Sequence, residues 1–136
     1  MKQISVFLEN VAGRLAEVTR TLSGAGINLR AMTIADTADF GILRLIVDDA
    51  EKTTKVLESN NFTAKITEVL AVEVADKPGG LADVLEIFDR NKVNIEYLYV
   101  TLERNKDNAV VIFKVDNRDH GVKIAEKNNL KVISSF

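Results

Sequence analysis

The sequence predicts an α+β chain built from two copies of one βαββαβ unit, each an antiparallel sheet with helices on one face. Three observations carry this. Residues match in order when the chain is slid along itself, apolar runs switch between period-two and helical spacing, and glycine or asparagine turns punctuate those runs. A slide of 66 residues brings Val6 onto Val72, Gly13 onto Gly79, Leu15 onto Leu81, Ala16 onto Ala82, Val18 onto Val84 and Asn28 onto Asn94. After a loop that is two residues longer in the second copy, a slide of 68 aligns Val47 with Val115, Asp48 with Asp116 and Lys55 with Lys123. It also superimposes Glu58-x-Asn60-Asn61 on Glu126-x-Asn128-Asn129. The units are therefore placed at 1–69 and 70–136, with almost no linker, since Val69 runs straight into Leu70.

Within the first unit, Ile4, Val6 and Leu8 alternate as a strand. Leu15, Val18 and Leu22 then recur at helical spacing until Gly24 and Gly26 stop the helix. A strand is expected over 29–35, a turn over 36–40 and a strand over 41–47. Asp48 and Asp49 supply a cap and negative charge to a helix running to about Asn60, and a strand over 63–69 closes the unit. The second unit repeats the pattern: strand 70–75, helix 80–91, strands 95–102 and 109–115, helix 118–128, strand 131–135. This order is the split β-α-β, ferredoxin-like arrangement, with two helices on one sheet face and the other face open. A unit of this size holds a small core, so pairing edge strands into one eight-stranded sheet is the expected remedy.

Composition narrows the function. There is no cysteine, which excludes disulfide scaffolds, thiolate zinc sites and cysteine nucleophiles. A formal net charge of −2 and a pI near 5.5 argue against a nucleic-acid or anionic-membrane surface. The apolar stretch Ile4–Leu8 is broken at once by Glu9 and Asn10, too short for a signal peptide or a membrane span. A soluble, cytoplasmic protein is expected.

The stretch around which the chain is organised is Asp76-Lys77-Pro78-Gly79-Gly80-Leu81. A strand feeding a helix through such a turn presents free backbone N–H groups where the helix dipole favours an anion. The expected ligand is the carboxylate of a small molecule, held at the amides of Gly79, Gly80 and Leu81 and, in a degenerate copy, of Gly13, Arg14 and Leu15. The competing view is a tight turn set by Pro78, with Asp76 capping the helix. Asn28 and Asn94 are the second signal. Each follows a helix stop and opens a strand, a place suited to a left-handed turn residue. An amide there also offers both a donor and an acceptor to an amino acid's charged ends.

The motif Asp76-x-Pro78-Gly79-x-Leu81 after the first strand, with Gly26-Ile27-Asn28-Leu29 opening the second, makes each unit resemble an ACT domain. The resemblance covers essentially the whole chain, as two such units without a catalytic domain. It implies side-by-side units with amino-acid ligands at the seam, held by one unit's first turn and its neighbour's strand-opening asparagine. Carried over, one pocket joins Asn10, Ala12, Gly13 and Leu15 to Asn94, and the other joins Asp76, Pro78, Gly79 and Leu81 to Asn28. The turns are not equivalent, because Val11-Ala12 replaces Lys77-Pro78 and Arg14 replaces Gly80. Lys92 also stands where the family prefers glycine.

Other candidates carry less. His120 is the only histidine and reads as a solvated residue at a helix start. Asp48, Asp49 and Glu51 most simply complement a helix N-terminus rather than hold a metal. Tyr97 and Tyr99 share one strand face, expected to be the open one, either exposed or in a contact between protomers. A nucleic-acid reader of the same βαββαβ order needs stacking aromatics on its central strands, whereas the third strand here reads Ile42-Leu43-Arg44-Leu45. An enzyme needs an activated nucleophile or an acid–base pair, and none can be assembled. The expectation is a non-enzymatic, amino-acid-binding regulator with no cofactor and no metal. It would bind neither nucleic acid nor membrane, and would act as a homodimer or on a partner enzyme.

Overall fold

A computed structural model describes residues 1–102 and 107–136, so the longer loop of the second copy lies largely outside the described residues. The elements run β1 (Lys2–Glu9), α1 (Arg14–Gly24), β2 (Leu29–Asp36), β3 (Phe40–Val47), α2 (Ala50–Ser59) and β4 (Thr63–Glu68). They continue as β5 (Leu70–Ala75), α3 (Gly80–Arg90), β6 (Ile95–Leu102), β7 (Asn108–Val115), α4 (Arg118–Lys127) and β8 (Lys131–Ile133). The expected βαββαβ order is present twice. The chain divides into two compact units, Lys2–Thr67 and Glu68–Phe136, the latter taking Met1. Met1 joins it because its ammonium donates to the Val69 carbonyl oxygen at 3.3 Å.

The first sheet has the order β2-β3-β1-β4 and the second β6-β7-β5-β8. Both central pairs are antiparallel and in the same register, Val6 opposite Leu43 and Val72 opposite Val111. The edge strands β2 and β6 shift register at the same repeat position, between Leu29 and Ala31 and between Ile95 and Tyr97. In the first core, Ile4, Val6 and Leu8 of β1 meet Val18 and Leu22 of α1, Leu43 and Leu45 of β3, and Leu57 of α2. The second core repeats this with Val72, Val84, Phe88, Val111, Phe113 and Ile124. There Phe88 and Phe113 meet edge to face with ring centroids 5.3 Å apart, a favoured aromatic geometry.

Helix ends also repeat. Ile27, Phe62, Val93 and Leu130 each donate to the carbonyl five residues back, at 2.9–3.0 Å, just after a left-handed residue: Gly26, Asn61, Lys92 or Asn129. This is the bonding of a Schellman stop, which satisfies carbonyls the helix leaves open. Lys92 adopts it at φ 58° without glycine's freedom.

Two expectations need correction. Hydrogen bonding gives two sheets of four strands, not one of eight. β5 is a central strand whose sides are taken by β7 and β8. The helix-free faces are also not open throughout. Gln3, Ala31, Ile46, Ala71, Tyr99, Val110 and Ile112 are all buried, and Tyr97 is half-buried. The physical reason lies in β3 and β7, whose runs Leu43–Val47 and Ala109–Phe113 are largely apolar on both faces, as in doubly buried strands. Among the described residues, no helix is long and apolar enough to cross a membrane.

Candidate functional site

Each unit passes from its first strand into its first helix through the same backbone path. Asn10 and Asp76 donate to the carbonyls of Asp39 and Asp107, both at 3.0 Å. Val11 and Lys77 then donate two residues back, to Glu9 and Ala75, both at 2.9 Å. Arg14 and Gly80 donate to Val11 and Lys77, at 3.4 and 3.0 Å. Gly13 and Gly79 are the N-caps, left-handed at φ 91° and 86°, and neither helix receives a side-chain cap. Asp76 therefore does not cap α3. The amides of Arg14 and Gly80 are also used within the turn, contrary to expectation. The amides of Gly13, Leu15, Gly79 and Leu81 have no acceptor among the described residues, and they stand at a helix N-terminus, where an anion is favoured.

The two turns differ in how closely the helix approaches the strand. A Cβ on Gly80 would lie 2.1 Å from the carbonyl oxygen of Ala75. The first unit carries a full arginine at that position. Arg14 pairs with Glu17 at 2.6 Å and sets its guanidinium 5.1 Å from the centre of the buried Phe62 ring. Gly80 and Arg14 are features the repeat alone did not explain, although the glycine pair was the available signal.

Asn10, Ala12, Gly13, Asp76, Pro78 and Gly79 are exposed, as are Asn28 and Asn94, while Leu15 is 40% exposed and Leu81 half-buried. Asn10 turns its amide towards the β2–β3 turn, 3.4 Å from both Asp36 Oδ2 and the Thr37 carbonyl. Asn28 and Asn94 do not take the left-handed conformation, which falls instead on Gly26 and Lys92 two residues earlier. They are therefore not the left-handed residues of these turns. The Asn94 amide nitrogen donates to Asp116 Oδ1 at 3.1 Å, leaving its side chain without a hydrogen bond among the described residues. Asn28 lines a depression of about 190 Å³ with Gly26, Asp48, Asp49 and Lys52. Within a unit, the turn and the asparagine lie at opposite ends of one eleven-residue helix, about 16 Å long at the usual rise. No unit brings its own turn to its own asparagine.

Residues 1–135 match the ACT domain pair. The chain belongs to that family. As an ACT pair it is 40% identical to a Bacteroides thetaiotaomicron protein of known crystal structure, with a TM-score of 0.92 over 97% of this chain and 90% of that one. It shares the fold of the regulatory subunit of aspartate kinase from Thermus thermophilus, at 16% identity and a TM-score of 0.70, over 93% and 91% of the two chains. In sequence it is 22% identical over 130 residues to the acetolactate synthase small subunit of Buchnera aphidicola subsp. Baizongia pistaciae, covering 96% of this chain and 74% of that one.

The remaining candidates in this ACT pair have structural occupations. His120 is half-buried rather than freely solvated, its Nε2 lying 3.0 Å from the Asn91 carbonyl at the end of α3. Asp49 caps α2 by accepting from the Lys52 amide at 2.9 Å, and Glu51 pairs with Lys2. Asp48 receives a two-pronged contact from Arg30, Nε to Oδ1 at 2.9 Å and Nη2 to Oδ2 at 2.8 Å. Those hydrogen bonds hold the Asp48 carboxyl below its usual pKa, opposed by desolvation and helped by the Arg30 charge. Among the described residues, no group of three or more acids and histidines could hold a metal ion.

Proposed function

We propose that this ACT pair is an amino-acid-binding regulatory protein of the cytoplasm, and that it is not an enzyme. The carrying observation is the pair of strand-to-helix turns, each with a left-handed glycine and two unengaged amides at a helix N-terminus. The ligand's carboxylate takes those amides, and a strand-opening asparagine takes its ammonium or second carboxylate oxygen. Asn10, Ala12, Gly13 and Leu15 would work with Asn94, and Asp76, Pro78, Gly79 and Leu81 with Asn28. The separation of turn and asparagine along one helix supports a pocket completed from a second unit.

We place the seam at the outer edges of β2 and β6, in a homodimer. Both strands end their sheets and expose matching apolar side chains, Met32 and Ile34 on one and Leu98 and Val100 on the other. Side-by-side pairing there would cover those side chains and satisfy the edge. The domain limits 1–69 and 70–136 are part of this proposal, each unit contributing one turn and one asparagine. A second reading, favoured by the likeness to enzyme small and regulatory subunits, is that the ligand-bound pair acts on a partner enzyme of amino-acid metabolism.

A melting screen against the twenty amino acids tests the reading. Ligand at a hundredfold over Kd adds about 2.7 kcal/mol, several degrees in Tm for a protein this size. Titration calorimetry of Asn28→Ala and Asn94→Ala should then show roughly ten- to a hundredfold weaker binding for the loss of one hydrogen bond to a charged ligand. No melting shift at millimolar concentration, or folded asparagine variants that bind normally, would overturn it.

A further inference from the structure

The helix-free face of the first unit carries an uncovered aromatic pair. Phe7 is 50% exposed and Phe40 58%. Phe7 stands opposite Ile42 and Glu9 opposite Phe40, so the rings are diagonal neighbours on adjacent strands. With Ala35, Asp36, Thr37 and Ile42 they line a groove of about 480 Å³. The second unit builds the same place from polar residues. Glu73 stands for Phe7 and Asn108 for Phe40, and Asn108 donates to Glu73, whose carboxylate also pairs with Lys131 at 2.6 Å. One position of the repeat is thus polar and internally satisfied in one unit, apolar and uncovered in the other. An exposed patch of this kind marks an interaction surface.

Charge indicates what it takes. The segments that build the groove, 5–10 and 33–42, contain Glu9, Asp36 and Asp39 and no lysine, arginine or histidine. All three carboxylates are exposed. Arg44, the next cation along β3, is half-buried and already engaged. We propose that this groove docks a segment of a partner protein presenting large apolar side chains flanked by lysine or arginine. The apolar floor would take the side chains, and the acidic rim would set register and select the partner. Two copies meeting through this face would oppose their own carboxylates, which disfavours self-association there. The groove adjoins the first turn, where the Asn10 amide lies 3.4 Å from Asp36 Oδ2. Its lining includes none of the residues assigned to the amino-acid ligand, and its test is read with no amino acid present.

The test uses fluorescence anisotropy with the full chain and two labelled peptides, one with phenylalanine and leucine between paired lysines, the other with glutamates in their place. The lysine peptide should bind at least about tenfold more tightly than its twin, and increasingly so at low salt. The double substitution Phe7→Glu with Phe40→Asn, which copies the second unit, should weaken it at least about tenfold. If that variant does not fold by circular dichroism, Asp36→Lys with Asp39→Lys takes its place and should reverse the preference between peptides. The proposal is overturned if the lysine peptide does not bind, if both peptides bind alike, or if the folded variants leave affinity unchanged. It is also overturned if sedimentation shows a dimer that Phe7→Glu with Phe40→Asn dissociates, since the occupant would then be a second copy.

Discussion

The turns around Gly13 and Gly79 share their hydrogen bonds residue for residue, yet one admits arginine at the next position and the other has no room for a methyl group. Equal bonding within a turn fixes the local path of the backbone. It does not fix how closely the helix that follows lies against the strand before it. In the second unit the close approach leaves room only for glycine at position 80. In the first, the wider gap holds Arg14, whose cation lies over Phe62. On the proposed reading the two turns are one anion-binding design with different walls, and unequal ligand affinities are expected of them.

Copying the first turn into the second is the largest way to break this contrast. Gly80→Arg should destabilise the protein by about 3 kcal/mol or more, because the atom in the way is a backbone carbonyl. The reciprocal Arg14→Gly should cost only about 1 kcal/mol, for a glycine in the helix and a lost ring contact. Chemical denaturation of both variants measures the difference, and equal costs would mean the turns are not distinct. The same geometry makes even Gly80→Ala costly, although Arg14 fills the equivalent place in the repeat.

The N-cap glycines sharpen the comparison from the other side. Gly13→Ala and Gly79→Ala meet no atom within 4 Å, and each places a side chain at a φ near 90°. Each should lose about 1–2 kcal/mol of stability, and the two losses should match. A large difference between them in denaturant midpoint would show that space, not backbone strain, decides. At the helix stops, Lys92→Gly should stabilise by about 0.5–1 kcal/mol by relieving the left-handed lysine, with Gly26→Lys costing a similar amount.

Much of this was legible in the sequence. The repeat located every element, since alternation of Ile4, Val6 and Leu8 and the spacing of Leu15, Val18 and Leu22 are direct imprints of strand and helix burial. Asp49 as a cap followed from its residue type and place. Hidden were the facts that depend on distance between elements. These include the clearance at Gly80, the stacking of Arg14 on Phe62, the reach of His120 to Asn91, and the use of the Asn10 side chain against the β2–β3 turn. The burial of the helix-free faces could have been read, because Ile46, Val110 and Ile112 interrupt the polar half of an alternating strand.

The smallest expected effect is electrostatic. With its pKa lowered by Arg30, Asp48 contributes stability that is complete above the ordinary aspartate range and is lost as pH falls through the lowered value. Arg30→Gln should return the Asp48 pKa upward in an NMR titration and remove that acid dependence. The change in stability should be slight and weakened by salt, since both groups are exposed.

The central claim, that the paired turns hold an amino acid's carboxylate, is tested most directly by amide NMR during titration with each of the twenty amino acids. At least one should shift the amides of Gly79 and Leu81, of Gly13 and Leu15, or of both turns. The side-chain amide of Asn28 or Asn94 should move with the same apparent Kd. Saturating amino acids that leave all four turn amides in place would contradict the account, and so would a bound amino acid whose shifts fall elsewhere.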